Sequence, residues 1–166
     1  MSSKTGATVR TAGANRGGSG RSGAGRGDLA TALARRLQSA LLPGEGTIQQ
    51  DELVEAAQFL LAAADARQPC ESTVVIESAA ATSRARYMRI AVANDDMPFL
   101  VDSIAATVTA HGLAIDRLLH PVVSVTRSSD RRVTAFPEDG PRESLIYIET
   151  RRADARARAA LLAELE

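Results

Sequence analysis

The sequence predicts an α+β fold, a helical hairpin followed by a β-α-β-β-α sandwich one strand short of a βαββαβ unit. Three observations predict it. Leu29, Leu33, Leu37 and Leu41 recur at every fourth residue, and a second stripe of helical period runs from Leu53 to Ala64. From Arg86 onward, stretches of strand-like alternation and helix-like spacing take turns. Proline and glycine fall between these stretches and punctuate them.

Residues 1–27 hold eight of the twelve glycines and almost no large apolar side chain. Such a segment buries too little surface to offset its ordering entropy, so a disordered tail is expected there. Asp28 is placed to cap a helix running to about Leu42, which Pro43-Gly44 ends. Thr47 and Gln50 have capping-box spacing ahead of a second helix, about Ile48 to Ala66, with Pro69 at its exit. Its stripe is Leu53, Val54, Ala57, Leu60, Leu61 and Ala64. Together these helices form an expected hairpin over residues 28–68.

The expected third unit spans residues 72–166. Thr73 to Glu77 reads as a short isolated strand, and Ala79 to Arg84 as a connector. In the next strand Met88, Ile90 and Val92 share one face, and Tyr87, Arg89 and Ala91 the other. The run Asn94-Asp95-Asp96-Met97-Pro98-Phe99-Leu100-Val101-Asp102-Ser103 makes an acidic loop that opens a helix. Pro98 is expected in its first turn, where a missing N–H costs nothing, with Asp95 or Asp96 as the cap. Leu100, Val101, Ile104, Ala105 and Val108 form its apolar face, and Gly112 stops it.

A second strand is expected over Ile115 to Arg127. Pro121 places it at a sheet edge or at a bulge, because proline has no N–H for a ladder. Ser128 to Arg142 reads as a loop, Ser144 to Thr150 as a third strand, and Ala153 to Glu166 as a helix. The resulting order matches a ferredoxin-like sandwich whose last strand is missing. In that fold the last strand covers the first, so its absence would bare the edge of Tyr87 to Ala93. That exposed edge argues for a fragment.

Composition bounds the function. The chain has 166 residues, is 45 % hydrophobic but only 3 % aromatic, and so must build its core from Ala, Leu, Val and Ile. Formal net charge is zero, yet the first 27 residues carry five bases and no acid, leaving −5 on the rest. A net-negative body is a poor nucleic-acid partner. No apolar run approaches the length of a membrane span, and no signal-peptide core precedes the first helix. Cys70 is the lone cysteine. This excludes an internal disulfide and a thiolate metal cluster and fits a reducing cytoplasm.

The motifs that suggest chemistry each have a plainer reading. Gly18-Ser19-Gly20-Arg21-Ser22-Gly23 spells G-x-G-x-x-G, but lacks the strand before and the helix after that a dinucleotide fingerprint needs. Asp95, Asp96 and Asp102 offer oxygens for a hard cation, but a helix starting near Pro98 turns Asp102 to solvent. No metal site is expected. Ser103, Asp102 and His120 name a hydrolytic set, yet Ser103 falls inside an ordinary helix rather than on a strained turn. No catalytic residue is therefore assigned. His111 is expected to meet the last carbonyls of its helix, and His120 to pack in its strand. Arg151, Arg152, Arg156 and Arg158 read as a solvated face.

The segment Ile90 to Val125, with the run Asn94–Ser103 at its heart, resembles the first regulatory domain of the large bacterial NAD-dependent glutamate dehydrogenases. Arg142 to Glu149 resembles the strand that follows there, and the helices within Asp28 to Arg67 fit its N-terminal region. The resemblance covers roughly Asp51 to Glu166. It implies an ACT-like regulatory domain whose parent enzyme deaminates L-glutamate to 2-oxoglutarate and ammonia and reduces NAD. The expected partners are the other domains of that polypeptide, a homo-oligomer and an amino-acid effector.

Catalysis in that family relies on lysines, and Lys4 is the only lysine in this chain. The chain by itself is therefore expected to be inactive and to hold no cofactor; NAD belongs to the parent. Asp96-Met97-Pro98-Phe99-Leu100 also resembles the D-x-P-G-L signature of amino-acid-sensing ACT domains. The resemblance makes Asp95, Asp96, Met97, Pro98 and Phe99 the candidate effector-binding residues. Phe99 stands where the signature has glycine, so its side chain blocks the close approach or fills the pocket itself. Two alternatives are a free-standing ACT-like sensor completed by dimerisation and a remnant of a broken gene.

Overall fold

A computed structural model of the chain describes residues 23–41, 48–68, 70–81 and 84–166. The expected tail up to residue 22, the Pro43-Gly44 turn, Thr47 of the capping box and the Pro69 exit lie outside them.

Helix α1 spans Gly23–Ser39 and α2 spans Gln50–Ala66. They pack as the stripes predict: Ala30, Leu33, Ala34 and Leu37 meet Leu53, Ala57, Leu60, Leu61 and Ala64 in one buried cluster. The alanines let the helices approach closely. Asp28 does not cap α1, which begins five residues earlier, inside the expected tail. Arg26 in this first part bonds Asp65 of α2 at 2.6 Å, a tie that local propensity does not reveal.

Strand β1 spans Thr73–Ala81 and β2 spans Arg84–Asp95. They pair antiparallel from Thr73↔Ala93 to Ala81↔Arg84. The first strand is thus neither isolated nor short, and Ala79 to Ala81 and Arg84 of the expected connector belong to the paired strands. Alanine is a weak strand former, but pairing against β2 outweighs intrinsic preference at Ala79 to Ala81. This overturns the expected bare edge. β1 occupies the side of β2 that the missing last strand would have covered, so the sandwich is not open there.

Helix α3 spans Leu100–Ala110, and β3 spans Ile115–Leu119. Strands β4 (Val122–Ser124), β5 (Thr126–Arg127) and β6 (Val133–Ala135) follow. Strand β7 covers Arg142–Arg151 and helix α4 covers Ala155–Leu165. The single strand expected over Ile115 to Arg127 is therefore three pieces. Pro121 breaks the ladder between β3 and β4, although its carbonyl still accepts the Leu145 N–H at 3.0 Å. β5 leaves the sheet to pair with β6, which lies in the expected loop. β3 and β4 pair only with β7, so Pro121 does sit at an edge.

The sheet order is β1-β2-β7-β3, antiparallel throughout, with β4 also on β7. Helices cover both faces. Ala91, Ala93, Leu145 and Tyr147 pack beneath α1 and α2. Met88, Ile90, Val92, Ile146 and Ile148 pack against Ile104 and Val108 of α3 and Leu161 of α4. The central strand β7 is therefore buried from Glu143 to Thr150.

One helix end follows its prediction, and a second, at Asp154, shortens the helix expected from Ala153. Gly112, at φ +72, lets the Leu113 N–H reach Val108 O and its own N–H reach Thr109 O, a Schellman close of α3. Asp154 caps α4 by accepting the Ala157 N–H at 2.8 Å. No helix among the described residues is long and apolar enough to cross a membrane.

Leu60 is fully buried between α1 and the sheet. Leu60→Ala should lower unfolding free energy by about 2–5 kcal/mol, read from urea denaturation. A loss below ~1 kcal/mol would show that the helical hairpin does not share a core with the sheet.

Candidate functional site

The acidic loop leaves β2 at Asp95 and enters α3 at Leu100. Register sets its charge problem. Asp95 lies directly opposite Glu143, and Asn94 opposite Ser144. Two carboxylates across a strand pair repel one another. Arg67, the C-cap residue of α2, resolves this by standing between them. Its Nη1 bonds Glu143 Oε1 at 2.9 Å, and its Nη2 lies 2.5 Å from Asp95 Oδ1. Its Nε donates to the Glu71 carbonyl at 3.0 Å.

Glu143 is buried and receives a second arginine. Arg127 reaches it through Nη2, at 2.7 Å to Oε2, and through Nε, at 3.2 Å to Oε1. Arg127 Nη1 also donates to the Ala64 carbonyl at 2.9 Å. That carbonyl, in the last turn of α2, also accepts the Arg67 backbone N–H at 3.2 Å. Arg131 adds bonds to the Arg67 carbonyl, at 3.0 Å, and to Gln68. The end of α2, the start of β7 and the β5–β6 hairpin are thus joined by one guanidinium–carboxylate network.

Asp96 is tied from the other side. Its N–H donates to the Arg142 carbonyl at 3.1 Å, and its Oδ1 accepts the Ser144 hydroxyl at 2.9 Å. Ser144 Oγ lies 3.1 Å from His120 Nε2. Since the serine proton goes to Asp96, the histidine must carry its hydrogen on Nε2. Burial holds the imidazole below its ordinary value, against the opposing pull of Asp96.

These contacts revise several expectations. Neither Asp95 nor Asp96 caps α3, because both carboxylates are held by other groups. Pro98 lies in a turn before the helix rather than in its first helical turn. The cap position belongs to Phe99, which takes the left-handed conformation at φ +63. That is the backbone geometry that favours glycine, at the position where the resembling signature has one. Among the described residues, Met97 and Phe99 are the exposed large apolar side chains, at 52 % and 77 %. Asp102 and Ser103 are exposed on α3, and His120 bonds Ser144 instead of Ser103. His111 bonds Glu164 of α4 at 2.7 Å through its side chain rather than the helix carbonyls.

The five candidate residues are therefore contiguous and braced at Asp95 and Asp96, with Met97 and Phe99 facing out. The bracing residues Arg67, Arg127, Glu143, Ser144 and His120 escaped the sequence reading. One signal was available. Glu143 shares strand parity with Leu145 and Tyr147, so a buried β7 had to bury its carboxylate too.

The model of the glutamate dehydrogenase ACT1 domain matches residues 45–165. The chain belongs to that family. An 83-residue stretch is 40 % identical to the NAD-specific glutamate dehydrogenase of Halomonas elongata. The match covers 46 % of this chain and 5 % of that relative. No solved structure matches the chain. The family match confirms the resemblance carried by the Asn94–Ser103 run.

Two measurements check this geometry. Phe99→Gly should be more stable than Phe99→Ala by about 1 kcal/mol, because alanine keeps the left-handed strain. Equal stabilities would contradict the backbone conformation. His120 sits below its ordinary value of 6.5, so the unfolded chain takes up protons first as pH falls. Stability contributed by neutral His120 should decline as pH drops from 6.5 towards its folded value. His120→Gln should lose less stability than wild type over that window in urea titrations. Parallel losses would rule out the buried neutral histidine.

Proposed function

We propose that this chain is an N-terminal regulatory segment of an NAD-dependent glutamate dehydrogenase and carries no catalytic group of its own. The parent would deaminate L-glutamate to 2-oxoglutarate and ammonia, with NAD as the cofactor of its catalytic part. The family match over residues 45–165 supports this, as does the small share of the Halomonas enzyme that the chain spans. The lysine count supports it as well, since Lys4 is the only lysine available to a family that works through lysines.

The segment's role is to pack against the rest of the polypeptide or a second copy, and to answer an amino-acid effector. The effector site is the loop Asp95-Asp96-Met97-Pro98-Phe99. It has the attributes of a contact surface on a rigid scaffold: both acids are anchored, while Met97 and Phe99 stand in solvent. Phe99 offers the effector a ring where glycine would offer bare backbone. A free-standing sensor that lends strands to a dimer is less well supported, because β1 already fills the edge of β2.

Purified chain incubated with L-glutamate and NAD should form no NADH above a blank. Clear turnover would overturn this reading.

A further inference from the structure

Arg67 has a donor group that the fold leaves without a hydrogen bond. The residue is 5 % exposed. Nε is committed to the Glu71 carbonyl and Nη1 to Glu143. Nη2 is buried and makes no hydrogen bond, although Asp95 Oδ1 lies 2.5 Å away. The ion pair is close, but its geometry does not align an N–H with the oxygen. A buried guanidinium end left in this condition carries a desolvation cost that a better-placed acceptor would relieve.

The group that now covers it is reachable from solvent. The Asp95 side chain is 60 % exposed, so leaving Arg67 for water costs it little solvation. Across the strand pair it faces Glu143, whose charge also favours its departure. Glu143 itself stays neutralised by the two-pronged contact from Arg127. With Asp95 turned out, the site is a buried guanidinium with one free edge, flanked by an already compensated carboxylate. That is a seat for one carboxylate group.

We propose that Arg67 Nη2 is the binding point for the carboxylate of a small molecule, and that Asp95 occupies this seat until the ligand displaces it. The inference rests on the effector reading of the same loop and deepens it by naming the ligand chemistry. It also gives the loop a reason to respond. Asp95 is its first residue, so a ligand that takes Arg67 releases the tether between α2 and the loop that presents Met97 and Phe99.

The test is chemical rescue in the full chain, using sodium acetate as the minimal carboxylate and sodium chloride at equal ionic strength as the control. Asp95→Ala should melt lower than wild type in chloride. Acetate should restore it in a saturable manner. Asp95, tethered beside the seat, competes with any added carboxylate. Wild type should therefore need about tenfold more acetate for the same relative effect. Arg67→Met combined with Asp95→Ala should not respond. Should that double variant fail to fold, the Arg67 Nε–H resonance of Asp95→Ala gives a second readout and should shift with acetate but not with chloride.

L-Glutamate and 2-oxoglutarate, which share their carboxylates and differ only in amine against ketone, then show whether an amino group beside the carboxylate strengthens binding. The proposal is overturned if acetate does no more than chloride for Asp95→Ala, or if the double variant responds equally. Failure of this kind would leave the non-catalytic regulatory reading intact. NADH formation by the chain would overturn that reading without touching the Arg67 seat.

Discussion

A carboxylate buried at the head of a central strand has to be paired, and Glu143 is paired twice. β7 is covered on both faces, so the side chain of Glu143 has little access to water. Arg127 and Arg67 supply the two charges, and each brings another part of the chain with it. Arg67 brings the end of α2, while Arg127 brings β5 and the β6 hairpin behind it. Removing one member of such a buried set typically costs about 3–5 kcal/mol, because the others are left uncompensated. The hairpin of helices is thereby fixed in register with the sheet, in a way that the apolar contacts of Leu60 and Leu145 alone would not impose.

The same clamp accounts for the posture of the acidic loop. Asp95 and Asp96 point in different directions because strand parity sends them to opposite faces. One meets Arg67 and the other meets Ser144. A short loop held at two adjacent residues on two faces has little freedom left. Its remaining residues, Met97 to Phe99, are displayed rather than buried. Membership of the glutamate dehydrogenase ACT1 family gives this display a context.

Local chemistry was legible in the sequence where it depended on near neighbours. The leucine stripes, the alternation of Met88, Ile90 and Val92, the stop at Gly112 and the edge position implied by Pro121 all follow from residues a few positions apart. Partners distant in the chain were not legible. The pairing of Ala79 to Ala81 with β2 contradicts alanine's own preference. The start of α1 at Gly23 leans on Asp65, and the fate of the loop acids on Arg67 and Ser144. Asp96 is a sound helix cap by type, but a buried serine hydroxyl from β7 outbids the helix N–H groups. The family motif was legible as a pattern. The left-handed Phe99 within it became visible only in the backbone.

The placement of β1 bears on how the domain is made. The strand that closes the sheet beside β2 comes just before it in the chain and pairs with it as far as Ala81↔Arg84. During synthesis, β1 and β2 can pair as soon as both have left the ribosome, and the sheet completes once β7 docks between β2 and β3. Only local closure is needed for the first step, which keeps the entropy of ordering low. The sheet needs no strand beyond β7 to cover the edge of β2, because β1 already does so. Early local pairing limits the time that Val74, Ile76 and the apolar face of β2 spend exposed to wrong partners.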